Sequence, residues 1–143
     1  MNKIYCICFL IITSCQNRNA KILGQEINIA GMNVNCGNVV TVIDNIDDIA
    51  MARPGYIILN PMFFNLSAPL QHFIYAHECA HHLLGSDEYS ADCWAMKTGR
   101  DQGWLPPFAA TQVGQAFLNS PGDWTHAPGP IRVQQMQACY NTP

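Results

Sequence analysis

The stretch from Ser67 to Gly85 limits what the chain can become more than any other segment. Leu70, Phe73, Ile74, His77, Ala80, His81 and Leu84 recur there at the spacing of one helical face. Ser67 at the N-cap position and Pro69 in the first turn mark where such a helix begins, and a turn at Gly85-Ser86 ends it. The inward stripe carries two histidines. A histidine on a buried stripe is ordinarily a hydrogen-bonded core residue. His77 and His81, however, stand four apart with Glu78 beside the first, so both imidazoles face one point with a carboxylate next to them. Two imidazoles suit a divalent metal such as zinc, and the acid can take a proton from a metal-bound water. His72 and His82 fall off that face and read as surface or supporting groups.

Catalytic zinc usually takes three protein ligands and keeps one position for water. Asp87, Glu88 and Asp92 follow the turn, at the start of a second helix expected to run to about Thr98 and stop at Gly99. Glu88 and Asp92 are four apart and share a face. That favours Glu88 as the third ligand and Asp92 as the group that orients a ligand or a nearby cation. Asp87, six residues past His81 as in sites of the metzincin type, is the rival for the third position.

Taken in order, His77-Glu78-x-x-His81, Glu88-x-x-x-Asp92 and Thr125-His126-x-Pro128-x-x-x-Arg132-Val133 resemble the three motifs of the HtpX-like and CAAX-prenyl-endopeptidase gluzincins. The likeness covers roughly the second half of the chain. It implies an α+β, zincin-like fold: a small N-terminal antiparallel or mixed sheet with an edge strand beside the metal helix, then a helical C-terminal part. It also implies a zinc endopeptidase with one Zn2+ per chain on His77, His81 and Glu88, and Glu78 as general base. His126 and Arg132 would line the site, His126 as a second donor to the developing oxyanion and Arg132 as the anchor of Asp92. The strand Tyr56-Ile57-Ile58-Leu59-Asn60 precedes the metal helix, and in zincins that strand is an exposed edge on which an extended polypeptide pairs. Tyr56, Phe63 and Phe64 would then form apolar pockets.

At 143 residues, 49% hydrophobic and only 12% charged, the chain has the composition of one folded domain. A net charge of -3 without any basic run argues against nucleic acid or an anionic lipid surface as partner. Met1-Asn2-Lys3 and the apolar run Ile4 to Ile12 have the layout of an export signal. Ile12-Thr13-Ser14-Cys15 resembles a bacterial lipobox. That resemblance implies removal of residues 1–14, a lipid on Cys15, a tether over 15–21 and a folded domain over 22–143. The expected place is the periplasmic side of a bacterial envelope, with Gln16 favouring the outer membrane; a plain secreted or periplasmic protein is the alternative.

Setting aside Cys6, Cys8 and Cys15 from the seven cysteines leaves Cys36, Cys79, Cys93 and Cys139. An even remainder in an oxidising compartment indicates disulfides, with three connectivities open. Cys79 and Cys93 lie in the two helices that must run side by side, which favours that pair and leaves Cys36 with Cys139. No C-x-x-C spacing supports a cysteine zinc site.

Elsewhere, Lys21 to Ile29 and Val39 to Ile43 read as strands, separated by a Gly- and Asn-rich stretch. Asp44 to Asp48 reads as a solvated turn leading into a short helix through Ala52, and it lacks the glycine and distal glutamate of a calcium loop. Arg53-Pro54-Gly55 is a turn. A third helix is expected over Phe108 to Asn119, then a proline-bearing loop, Trp124 to Pro130, that carries His126, and a last helix over Ile131 to Tyr140. The sequence thus points to a zinc metalloendopeptidase acting on extended envelope polypeptides. A non-catalytic zinc-binding lipoprotein that scaffolds other proteins is the alternative.

Overall fold

Short strands come first along the chain and helices follow. The computed structural model describes residues 20–143, so the expected export signal, Cys15 and residues 16–19 of the expected tether lie outside the described residues. In order the elements are β1 (Lys21–Gly24), β2 (Glu26–Ile29), β3 (Met32–Asn35), β4 (Val40–Ile43), β5 (Ala50–Arg53), β6 (Tyr56–Leu59), α1 (Ala68–Leu84), α2 (Glu88–Asp101), α3 (Pro107–Phe117) and α4 (Gly129–Asn141). The class is α+β, a small mixed sheet with four helices. Lys21, the last residue of the expected tether and the first of the expected strand, belongs to β1. None of the described helices is long and apolar enough to cross a membrane.

The sheet runs β1-β4-β6-β5, with β4 and β6 parallel and both outer pairs antiparallel. Ile57 and Leu59 of β6 alternate inward and are fully buried, as a strand with one covered face requires. The sequence reading needs correcting here. Tyr56–Leu59 is hydrogen-bonded on both sides and cannot accept a further strand; the sheet's edges are β1 and β5, and the one against α1 is β5, read on sequence as the end of a short helix. Ala50-Met51-Ala52-Arg53 carries no β-branched residue. It is extended because the Pro54-Gly55 turn folds it back on β6, with Gly55 at φ 79°.

Lys21 to Ile29 is likewise two strands rather than one. Gly24, at φ 120°, lets the chain leave the sheet, and β2 pairs with β3 in a separate hairpin closed by Ala30 and Gly31. After β6, Asn60 caps a 3-10 turn over Pro61–Asn65 that buries Phe63. Phe63 is therefore core, and neither it nor Tyr56 or Phe64 lines the cleft described below.

α1 lies across the sheet and is buried from Phe73 through Ala80. Tyr75 reaches from it to Thr41 of β4, with the two hydroxyls 3.3 Å apart. Ser67 occupies the N-cap position without a side-chain bond to the helix, and Gly85, at φ 94°, ends it. α2 starts at once, because the Asp87 carboxylate accepts from the Ser90 N–H at 2.8 Å. Ala91, Ala95 and Gly99 keep its inner face narrow. Gly99 does not end α2 as expected; it lies within the helix, which continues to Asp101. A Cβ there would stand 2.6 Å from that of Leu105 and 2.8 Å from the Trp104 ring. Gly99→Ala should therefore cost about 1–3 kcal/mol through overpacking, read as a lower thermal midpoint. An unchanged midpoint would mean that the Trp104 loop yields freely.

Two disulfides close the core, and their pairing differs from the one favoured on sequence. Cys36 joins Cys79, and Cys93 joins Cys139. The helices α1 and α2 do pack together, but each residue turns the chain about 100° around a helix axis. Cys79 consequently faces the β2–β3 hairpin, and Cys93 faces α4. The first bridge pins the hairpin to the metal-motif helix, and the second pins α2 to α4.

Candidate metal centre

α1 carries His77, Glu78 and His81; the first two turns of α2 carry Glu88 and Asp92; α4 carries Arg132; the loop between α3 and α4 carries His126. The Nε2 atoms of His126, His77 and His81 lie 2.9, 3.0 and 3.4 Å from one oxygen, Oε2 of Glu88. The His77 and His81 Nε2 atoms are 3.0 Å apart.

What fixes these rings is the bond each makes at its far nitrogen. His77 Nδ1 is 2.8 Å from Asp92 Oδ1, His81 Nδ1 is 2.9 Å from the Gly85 carbonyl, and His126 Nδ1 is 3.0 Å from Asp123 Oδ2. A carboxylate or carbonyl can only accept, so each ring donates its Nδ1–H outward and turns an Nε2 lone pair inward. When all three rings are neutral, three lone pairs and a carboxylate oxygen converge with no donor among them. Glu88 Oε2 is correspondingly a buried oxygen without a hydrogen-bond partner.

That donor set fits a metal ion. Donors ~2.0–2.1 Å from a tetrahedral zinc stand roughly 3.3–3.4 Å from one another, close to the 2.9–3.4 Å spacings here. Among the described residues, the group whose ligand atoms all lie within 4.8 Å of one another is His77, Glu88 and His126; His81, a ligand expected on sequence, stands 3.0 Å from His77 and 3.4 Å from Glu88 but is not in that group. Asp87, the rival third ligand on sequence, instead caps α2. His72 and His82 stay outside the cluster, at 2.8 Å from the Ile29 carbonyl and 3.0 Å from the Tyr56 carbonyl.

Behind His77 stands a second layer. Arg132 donates from Nε to Asp92 Oδ2 at 2.7 Å and from Nη2 to Asp92 Oδ1 at 2.8 Å, a two-pronged ion pair that is almost wholly buried. The guanidinium also lies over the Phe117 ring, 4.4 Å from its centroid. Arg132 thus holds Asp92, and Asp92 orients His77.

Asp123 and β5 were not identified on sequence. Asp123 Oδ1 accepts from the backbone N–H groups of Thr125 and His126 at 2.7 and 2.8 Å and from the Thr125 hydroxyl at 2.8 Å, an Asx-type turn that aims the His126 ring. An acid two or three positions before Thr125-His126 was the available signal. β5 forms one wall of a cleft of about 890 Å³ whose floor holds His77, Glu78, Phe73 and Phe117. The Asn60 N–H bonds the Ile49 carbonyl at 3.0 Å, which sets the alternation along β5. Ala50 and Ala52 therefore turn their main-chain groups away from β6, and the Ala52 N–H bonds the Glu78 carboxylate.

Burial lowers the affinity of His77 for a proton, but Asp92 and Glu88 outweigh it and push its pKa up to about 9. Burial raises the Glu88 and Asp92 carboxyls; the imidazoles of His126 and His77 offset it at Glu88, and Arg132 and His77 at Asp92, holding both below their usual range. Burial raises Glu78, against the opposing pull of His77 and His81. In the metal-free chain a proton on His77 thus stands in for a cation. Its folded value of about 9 lies above the ordinary histidine value of 6.5, so its stabilisation is full below pH 6.5 and is lost as pH rises to about 9. Metal-free protein should accordingly melt at a lower temperature at the alkaline end of that interval than at the acid end. A rise in melting temperature would contradict the arrangement. A metal ion bound there would displace the same proton, so its affinity should increase with pH over that interval.

No known family model, curated protein or solved structure matches the chain.

Proposed function

We propose that the chain is a zinc-dependent metalloendopeptidase of zincin-like fold and HtpX-like gluzincin type, tethered to the envelope through Cys15 and cutting extended or unfolded polypeptides. The observation that carries this reading is the convergence of three Nδ1-anchored imidazoles on the Glu88 carboxylate, beside a buried Glu78 at the floor of an open cleft. Zinc held there by His77, His81 and Glu88 would polarise the substrate carbonyl and bring the pKa of water down to ~7.

The remaining work falls to the chain. Glu78 accepts the proton from the attacking water and returns it to the leaving amine; burial raises its carboxyl toward the range that such a shuttle needs. The Ala52 N–H fixes one side of that carboxylate, so the base is oriented before substrate arrives. The substrate backbone pairs with the outward groups of Ala50 and with the outward carbonyl of Ala52 on β5, a mode that reads main chain and tolerates many sequences. Phe73, Ile74 and Phe117 offer an apolar wall to one side chain beside the cut.

Mapping the products of an unfolded casein by mass spectrometry tests this. Cuts flanked on one consistent side by apolar residues are expected. Intact casein with a zinc-loaded chain would instead favour the non-catalytic, zinc-binding lipoprotein. One observation leans that way: His126 Nε2, at 2.9 Å from Glu88 Oε2, stands among the metal donors where a water would be needed.

A further inference from the structure

Along β5 the cleft carries charge of opposite sign at its two ends. Asp48 borders it just before the strand and Arg53 ends the strand, about 17 Å further on at the rise of an extended chain. Other charged groups along the cleft are committed: Arg132 to Asp92, Asp123 to His126, and Glu78 to the Ala52 N–H. Arg53 is not. Its main chain pairs with Tyr56 in the ladder, but its side chain is exposed and makes no ion pair or hydrogen bond among the described residues. His82, whose Nε2 lies 3.0 Å from the Tyr56 carbonyl, borders the cleft beside Arg53 and adds no negative charge.

The ladder also gives a direction. The Ala50 N–H, the Ala50 carbonyl and the Ala52 carbonyl turn outward, while the Ala52 N–H holds Glu78. An antiparallel partner opposite Ala50 exchanges both bonds with it and gives one more to the Ala52 carbonyl. A parallel partner would need the Ala52 N–H and then an N–H from Pro54, which has none. An extended polypeptide on β5 therefore runs antiparallel, with its N-terminal side toward Arg53. The residue opposite Arg53 presents its side chain on the same face, with the two Cβ atoms about 4.5–5.5 Å apart.

Resting on the peptidase reading above, we propose that Arg53 determines specificity: the cleft selects extended polypeptides with an acidic side chain just N-terminal to the bond that faces Glu78. The guanidinium fork meets a carboxylate through two N–H groups. An acid at the other end of the cleft would instead meet Asp48, so charge sets the register of the bound chain as well as its affinity.

The test measures binding rather than turnover, on the full zinc-loaded chain carrying Glu78→Gln. End-blocked peptides of Ala, Ser and Phe with a single Glu, Gln or Lys are the probes, so that no terminal carboxylate supplies the charge. The Glu peptide should bind ~10-fold more tightly than the Gln peptide, and the gap should narrow with added salt. Arg53→Glu removes no contact that the fold uses, and should reverse the order in favour of the Lys peptide. With Glu78 restored, the cut should fall on the C-terminal side of the Glu. Equal affinity for the three peptides would overturn the proposal and leave the peptidase reading intact. A Glu preference that survives Arg53→Glu would put the carboxylate on another group, the metal included, and overturn it as well. Binding of none of the peptides would overturn both the proposal and the pairing on β5. If the preference and its reversal hold while the chain with Glu78 cuts none of the peptides, the peptidase reading fails and the assignment of Arg53 stands.

Discussion

Glu78→Gln is expected to lower kcat/KM for an unfolded protein substrate by ~10²–10⁴-fold, the usual contribution of a positioned general base, while zinc content stays unchanged. The two side chains share a shape, and the amide oxygen can still accept from the Ala52 N–H, so the floor of the cleft keeps its form. What disappears is the ability to hold a proton between the attacking water and the leaving amine. Glu78 does not belong to the donor set around Glu88 Oε2, so metal retention and melting temperature should change little. That combination separates a chemical role from a structural one. Full activity in the variant would remove Glu78 from the mechanism.

The second large effect should come from Asp92, which touches no substrate. Asp92→Ala strands the Arg132 guanidinium in a nearly buried position and frees the His77 ring at once. Breaking a buried pair by removing one partner costs about 3–5 kcal/mol, and losing the group behind a ligand histidine weakens metal ~10–100-fold. The two consequences can be pulled apart. In Asp92→Leu combined with Arg132→Met the unpaired charge is gone, so much of the melting temperature should return while zinc affinity stays low. Full recovery of both would make the Asp92–His77 bond incidental to metal binding.

The helical half of the molecule was the legible half, for a local reason. His77, Glu78 and His81 stand on one turn of α1, and Glu88 and Asp92 on one turn of α2, so a four-residue spacing already places each pair on a common face. The resemblance carried by Thr125-His126 and Arg132 implied that both line one site, and both border the cleft. Contacts that depend on how an element is rotated or paired were not legible. Cys79 and Cys93 belong to packed helices yet face away from each other, because one or two residues of phase point a side chain at a different neighbour. Ala50-Met51-Ala52-Arg53 has weak strand character and becomes the edge of the sheet only through its ladder with β6. Gly99 carries the residue type of a helix stop, but serves the close approach of Trp104 and Leu105. Asp123 acts on His126 through a turn whose geometry a residue list does not display.

Zinc stoichiometry measured on the purified full chain, followed by chelation and titration back with zinc while cleavage of unfolded casein is recorded, bears most directly on the central claim. One zinc per chain is expected, with cleavage abolished by the chelator and restored as the ratio of zinc to chain approaches one. Cleavage that persists without metal, or a chain that retains no zinc, would contradict it and return the His77-Glu78-x-x-His81 pattern to coincidence.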